Sequence, residues 1–442
     1  MRQLTYFILL LSLPTALSAQ TVYSLKESIA FSLEHHPSLG IYQNQVEIAN
    51  QKAKQSLSGY LPQVTSSATI IDNLNLQKTI IPAGVFGPEA TVVQFGTQFN
   101  TQAVVDINQT IFDMSKMQGI KASKPYAELN ELQKEQNKEA IIYNTSVAYF
   151  QVLIMREQLK NLEINKAKSV ELLEILKNQL KNGLILEKDL DRIKVSLNST
   201  NYQIEDAKVK EKMALNNLKN SMGISIENTI DINVDIDFSK YILKSLNDNL
   251  SVHQLVENKI SETNYMLQKI SLKSTQSSFL PTVSAVAKIG TQALNNSFST
   301  AFSNWNNFSY VGVSINLPLS TGFKRYSQMK EQQLVLNNAK RNDEINKENL
   351  KLKFENAKTS ISTAYSNYLS SKENMDLARK IGDVSEFQYG KGTANLSDYL
   401  NDDTAYKNAQ SNYLSSIYNL MISNLNYQKS QGTITSYISE LN

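Results

Sequence analysis

From Asn137 to Asn182 the chain contains neither Gly nor Pro. Within that run the apolar residues fall at Tyr143, Val147, Phe150 and Ile154, then at Leu159, Leu162, Val170, Leu173, Leu176 and Leu180. Steps of three and four dominate, which is the pattern of a helix with a narrow apolar seam. The helix can extend upstream to about Met114, with a kink or break expected at Pro125. A second helix is predicted from Glu187 to Met222, a third from Lys324 to Gln388, and a fourth from Leu396 to Gln428. The fourth has its seam at Tyr406, Ala409, Tyr413, Ile417 and Leu420. A helix of about 65 residues reaches close to 100 Å at about 1.5 Å per residue, far beyond any ordinary domain. The composition agrees, because 442 residues include only 15 Gly and 8 Pro. Such helices need partners packed as a coiled coil. By itself this periodicity also fits an exported structural rod of the cell envelope.

Strand-like runs precede the long helices. "TQFNTQAVVDINQTIF" places Phe99, Ala103, Val105, Ile107 and Ile111 on one face. It places Asn100, Gln102, Asp106, Asn108 and Thr110 on the other. "FLPTVSAVAKIGTQ" (279–292) alternates more weakly, and "QVTSSATIIDNL" (63–74) most weakly. "NFSYVGVSINLPLS" (307–320) carries Tyr310, Val311, Val313, Ile315 and Leu317, with a change of face expected after Tyr310. Runs of about 10 to 14 residues suit tilted strands that cross an outer membrane. Between them, residues 75–93 and 293–306 read as loops rich in turn and aromatic residues.

The whole arrangement occurs twice. "QNQVEIANQKAKQSLSGYLPQV" (43–64) aligns without gaps to "ETNYMLQKISLKSTQSSFLPTV" (262–283). "DINQTIFDMSK" (106–116) faces "SINLPLSTGFK" (314–324), and "NGLILEKDL" (182–190) faces "KGTANLSDY" (391–399). The order helix, Leu-Pro, hairpin, long helix, Gly turn, long helix is common to both halves. Residues 20–223 form one repeat and 251–431 the other. Pro62 and Pro281 mark the helix-to-strand junctions, where proline disfavours helix before it and avoids the interior of a ladder. Four strands cannot close a barrel, and an open sheet edge is forbidden in lipid. Closure therefore falls between chains, with eight strands in a dimer or twelve in a trimer.

The first residues set the compartment. Arg2, an apolar run from Tyr6 to Leu13, and Ala16, Ser18 and Ala19 make residues 1–19 a secretory signal. Cysteine is absent, which excludes disulfides, thiolate metal sites, a Cys nucleophile and a lipidated cysteine. His35 and His36 are neighbours, about 100° apart on a helix, and read as a surface pair with no metal. Lys+Arg 44 against Asp+Glu 41 carries no nucleic-acid footprint. No nucleophile motif, phosphate loop or metal-ligand spacing is present, so neither an enzyme nor a cofactor is expected.

"SLKESIAFSLEHHPSL" (24–39), both Leu-Pro junctions, both Gly-x-x-x-x-x-Asp turns and the tandem repeat together resemble the TolC-like outer-membrane efflux proteins. The resemblance covers essentially the whole mature chain. It implies a homotrimer with a 12-stranded transmembrane β-barrel and a coiled-coil periplasmic tunnel, an α+β membrane protein of the outer membrane. It places an equatorial segment at 224–250, with the tail 432–442 beside it. It implies a periplasmic adaptor and an inner-membrane pump of RND or ABC type as partners, and export of solutes or polypeptides. Gly183 and Leu184 match the adaptor-contacting Gly-Leu, and Gly392 and Thr393 match the second turn. Asp398 matches the first of two constricting aspartates. The second falls on Asn401, with Asp402 next to it. Tyr389 matches a gate tyrosine, while Ala394 stands where the family has a gate arginine, so the gate is expected to be looser or differently held. Three Asp398 carboxylates around a narrow pore would favour cations and repel one another, making closure sensitive to pH. Asp398 read alone is a helix-start residue, and so is Asp189.

Overall fold

The computed structural model describes residues 21–85, 87–233 and 249–440. The export signal expected at 1–19 lies outside the described residues, as do residues 234–248 of the expected equatorial segment. The described chain divides into two compact units that cut across the sequence repeats. The first takes residues up to Ile41, Lys134–Val256 and residues from Glu348 onward. The second takes Tyr42–Gln133 and Glu257–Lys347.

In the first unit, β1 (Thr21–Tyr23) leads into α1 (Leu25–His35). A capping box starts α1: the Glu27 amide donates to Ser24 Oγ at 3.2 Å, and the Ser24 amide to Glu27 Oε2 at 2.8 Å. Hydrogen bonding from Ser24 holds the Glu27 carboxyl below its usual range. The first long helix, α3 (Met114–Lys181), begins among the residues of the second unit, is continuous through Pro125, and belongs to the first unit from Lys134 on. The helix does not break at Pro125: it gives up one backbone bond and keeps its flanking turns. α4 (Glu187–Met222) comes next, then β6 (Ile230–Ile232), which pairs in parallel with β1. From the second repeat come α6 (Lys324–Gly390), α7 (Leu396–Gln431) and α8 (Ile434–Glu440). Their seams meet in one core around Tyr149, Phe150, Leu153, Leu218, Met222, Phe354, Leu425 and Tyr427. Polar groups inside it are satisfied. Tyr149 Oη donates to the Asn233 carbonyl at 3.0 Å, and Ser32 and Thr145 share a hydrogen bond of 3.1 Å. Arg156 ties α3 to α4 through Glu211 at 2.8 Å, and to β6 through Asp231 and the Ile232 carbonyl.

In the second unit, α2 (Pro37–Ser58) and α5 (Val256–Ser277) each end in a short turn before a strand. The amides of Leu61 and Leu280 close those turns on Ser58 and Ser277 at 2.9 and 3.1 Å. Pro62 and Pro281 then immediately precede β2 (Gln63–Asp72) and β7 (Thr282–Asn295). Within residues 75–93 the sequence predicts only a loop. The structure has a small antiparallel pair there, β3 (Lys78–Ile81) and β4 (Thr91–Gln94). Each segment carries a β-branched pair, Ile80–Ile81 or Val92–Val93, but both are too short for alternation to register. β5 (Phe99–Phe112) and β8 (Asn306–Asn316) complete a four-stranded antiparallel sheet in the order β2-β5-β7-β8. Each repeat contributes one hairpin, and β5 and β7 join the two.

Register turns that sheet into two chemical faces. Val64, Ile107, Ala287 and Val311 lie in one cross-strand row, and the flanking rows bring Val105, Ile289, Val313 and Ile315 to the same side. Of these, Val64, Ile289, Val311, Val313 and Ile315 are well exposed. The opposite side carries Thr65, Asp106, Lys288 and Tyr310 in one row, with an Asp106–Lys288 ion pair at 2.9 Å. Two details differ from the sequence expectation. A register shift between Thr110 and Phe112 makes Ile111 the extra residue of a bulge, so Phe112, not Ile111, pairs with Val283. The change of face after Tyr310 is ordinary alternation, because β8 pairs with β7 without a shift. No helix among the described residues is long and apolar enough to cross a membrane, a criterion that does not address strands.

Gly290 lies on the polar face between Val104 and Phe308. A Cβ there would meet Val104 Cγ1 at 2.6 Å, Phe308 Cζ at 2.8 Å and the Ala103 carbonyl at 3.1 Å. Gly290→Val is expected to destabilise the sheet by about 1–3 kcal/mol through overpacking. A lowered urea midpoint for the detergent-solubilised protein would show it.

Candidate functional site

The two Gly turns are built alike. Gly183 ends α3 at φ 72°, with its amide bonded to the Leu180 carbonyl at 2.9 Å and the Leu184 amide to Gln179 at 2.9 Å. Gly392 comes after α6 at φ 72°, with its amide on Tyr389 at 3.0 Å and the Thr393 amide on Gln388 at 3.0 Å. Both are Schellman closures, in which a residue without Cβ takes the left-handed position and satisfies the last helical carbonyls. A Cβ at either glycine would meet open space, so the requirement is conformational.

The helices that leave the two turns start differently. α4 starts at Leu186, which offers no side-chain cap, and both Leu184 and Leu186 are exposed. α7 starts at Asn395, whose Oδ1 accepts the Asp398 amide at 2.9 Å. Asn395 Nδ2 in turn donates to Asp398 Oδ2 at 2.7 Å. Thr393 Oγ1 donates to the Gln388 carbonyl at 3.0 Å. One turn thus presents bare leucines, the other a polar, capped start.

Beneath the turns lies a small core of Leu176, Leu190, Ile193, Leu396 and Tyr399, with Leu180, Ile185 and Tyr389 packed against it. Tyr389 stacks on Tyr399 with centroids 5.6 Å apart, and its hydroxyl lies 3.5 Å from Gln179 Oε1. Burial, then the Asp189 charge, raises the Tyr389 pKa. Burial first, then Asp403 and Glu386, raises that of Tyr399.

The acidic residues of α7 divide by partner. Asp402 accepts a hydrogen bond from Ser385 of α6. Asp403 pairs with Lys407 at 2.6 Å. Asp398 and Asn401 are exposed, and Asp398 is bonded by Asn395. Asp189 occupies the equivalent helix-start position of α4, with its amide on the Leu186 carbonyl at 3.0 Å. Three contributors do not emerge from the sequence alone: Tyr399, Ser385 and Asn395. A tyrosine on each side of one Gly turn is the available signal for the first. Ser385 lies 17 residues from Asp402, and no local pattern links them. Elsewhere in the first unit, His35 stacks on Phe31 at 4.1 Å and His36 Nδ1 bonds Ser38 Oγ at 2.8 Å. Among the described residues no group of His, Asp and Glu is arranged to hold a metal.

Alkaline titration tests the tyrosine pair. The unfolded chain releases these protons near pH 10, and the folded chain releases them higher. Their contribution to stability is fully present below about pH 10 and is lost as pH rises toward the folded values. Tyr399→Phe is expected to weaken this alkaline decline, read as urea midpoints at pH values on either side of 10.

The sequence model of the family "Outer membrane efflux protein" matches residues 29–224. The Outer membrane protein TolC of Escherichia coli (strain K12) is 23% identical over 357 residues, covering 76% of this chain and 70% of that protein. TolC of Salmonella enteritidis is 23% identical over 355 residues, covering 76% of this chain and 69% of that protein. Among solved structures, the outer membrane protein VceC of Vibrio cholerae superimposes with TM-score 0.73 at 15% identity, over 92% of this chain and 96% of that one. The CmeC outer membrane channel of Campylobacter jejuni gives 0.75 at 18% identity, over 94% and 88%. The outer-membrane channel OprN gives 0.76 at 16%, over 92% and 90%. Residues 29–224 thus match the outer membrane efflux protein family, and nearly the whole chain shares the fold of these outer-membrane channels.

Proposed function

We propose that this chain is the exit duct of a tripartite efflux or type I secretion assembly. A homotrimer would pass solutes or polypeptides from a periplasmic adaptor and an RND- or ABC-type inner-membrane pump to the exterior. The observation that carries this reading is the two-faced sheet. Its exposed Val and Ile side suits lipid, its Thr, Asp, Lys and Tyr side suits water, and β2 and β8 are open edges. Closure with two further copies satisfies both edges and encloses the polar side.

The gate is assigned to the α7 start. Of the carboxylates at 398, 402 and 403, Ser385 engages Asp402 and Lys407 engages Asp403. Asp398 remains exposed and bonded by its own capping asparagine, so it is the carboxylate most available to form a three-fold ring. Such a ring favours cations. Tyr389, stacked on Tyr399, and the exposed Asn401 complete the constriction; Asp402, through Ser385, holds α7 against α6. With Ala394 in place of an arginine, closure rests on these contacts. The two Gly turns are the adaptor-docking surface, Gly183 and Leu184 offering apolar contact and Gly392 and Thr393 a polar one.

Planar-bilayer recording of the purified trimer tests the assignment. Wild type is expected to give small, cation-selective currents, and Asp398→Asn to lose much of that selectivity. Ser385→Ala, which releases Asp402, is expected to raise conductance. Unchanged selectivity in Asp398→Asn would sink the ring, and a protein that never inserts would sink the duct.

A further inference from the structure

The apolar side of the sheet is not exposed along its whole length. Thr101 and Ala293 are register partners on that side, and they are 5% and 0% exposed. Toward the middle of the same side, Ile289 is 61% and Val311 84% exposed. The connection from β7 to β8 explains the difference. Phe99, also on the apolar side, meets Phe298 edge to face at 5.7 Å, and Phe298 meets Phe302 at 6.2 Å. The connection therefore folds back over the end of the apolar side. Its outer surface stays apolar, with Phe298, Phe302 and Trp305 all exposed.

Three features fit this surface to a membrane interface. The stretch "ALNNSFSTAFSNWN" (293–306) contains no charged residue; its polar residues are Asn, Ser and Thr, set among aromatics, two Ala and one Leu. The Trp305 indole N–H donates to the Phe302 carbonyl at 2.8 Å, so the ring can enter a less polar zone without an unmet donor. Length agrees as well. The 11 residues of β8 span about 36 Å at about 3.3 Å each. At a tilt of about 40° this covers about 28 Å of depth, against an apolar band of about 25 Å in such barrels. Trp305 directly precedes the strand, at the level where aromatic residues gather at the lipid–water boundary. Because α5 enters β7 and α6 leaves β8 at the other end, this boundary is the one away from the helices.

We propose that residues 296–305 form an interfacial anchor, in which Phe298, Phe302 and Trp305 seat in the headgroup–acyl boundary and fix the depth of the barrel. This rests on the outer-membrane duct reading. Trp305 is the chain's one tryptophan, so its fluorescence reports the site without labelling. The full-length trimer is reconstituted in phosphatidylcholine vesicles with bromine either high on the acyl chains or near their ends. The expected result is blue-shifted emission, most of it lost to shallow bromine and little to deep bromine. Phe298→Ser combined with Phe302→Ser is expected to shift emission to the red and reduce that loss. Water-like emission quenched by iodide but by neither bromolipid would place the loop in solvent and overturn the anchor. Blue emission insensitive to every quencher would place Trp305 against protein, also overturning it. Flotation with the vesicles reads insertion separately: failure there overturns the duct reading and the anchor with it.

Discussion

The outer edges of β2 and β8 present backbone N–H and C=O groups that have no strand beside them within the sheet. In water such an edge is tolerable. In hydrocarbon each unmet group costs several kcal/mol, so a four-stranded sheet cannot remain open there. Closure between chains is a consequence of that constraint, and so is the division of the sheet into an apolar and a polar side. Alternation then matters more than the identity of any one residue, since a one-residue slip would move Val64, Val311 and Val313 to the water side. The bulge at Ile111 acts on this same alternation, because it decides that Phe112 rather than its neighbour pairs with Val283.

The helical unit answers a different demand. Its chain must stay extended while burying only a narrow seam, and its exposed faces are laced with pairs three residues apart, such as Lys177–Glu174 and Lys208–Glu205. Exposed pairs of this kind contribute little stability. The stabilising contacts are the seam aromatics, Tyr149, Phe354 and Tyr427 among them, and the Arg156 bridge to Glu211 and Asp231. At the far end of α3 and α6 the seam narrows to a small cluster capped by two glycine turns, so few contacts hold the tip.

Much of the site is legible in the sequence because it is local. Gly183 and Gly392 are readable as turns, since each ends a long breaker-free run and only glycine takes the left-handed position freely. Asp398 and Asp189 are readable as helix-start residues. The tie between Ser385 and Asp402, and the stack of Tyr389 on Tyr399, join separate helices, and no period within one helix encodes them. β2 gives the weakest strand signal because its Thr-Ser-Ser-Ala-Thr run lacks contrast between its two faces, and pairing with β5 supplies the order. At Pro125 the local rule allows a kink or a break, and the flanking turns of a 68-residue helix decide against the break.

The sequence by itself determined the long helices, the two strand pairs and their tandem order. These arise from periodicity and breaker placement, which are properties of neighbouring residues. Tertiary structure decided which hairpins adjoin, through the β5–β7 pairing, and therefore which side of each strand is apolar across the whole sheet. It also decided which carboxylate of α7 stays exposed. Those outcomes depend on contacts between residues far apart in the chain, and a linear pattern carries no record of them.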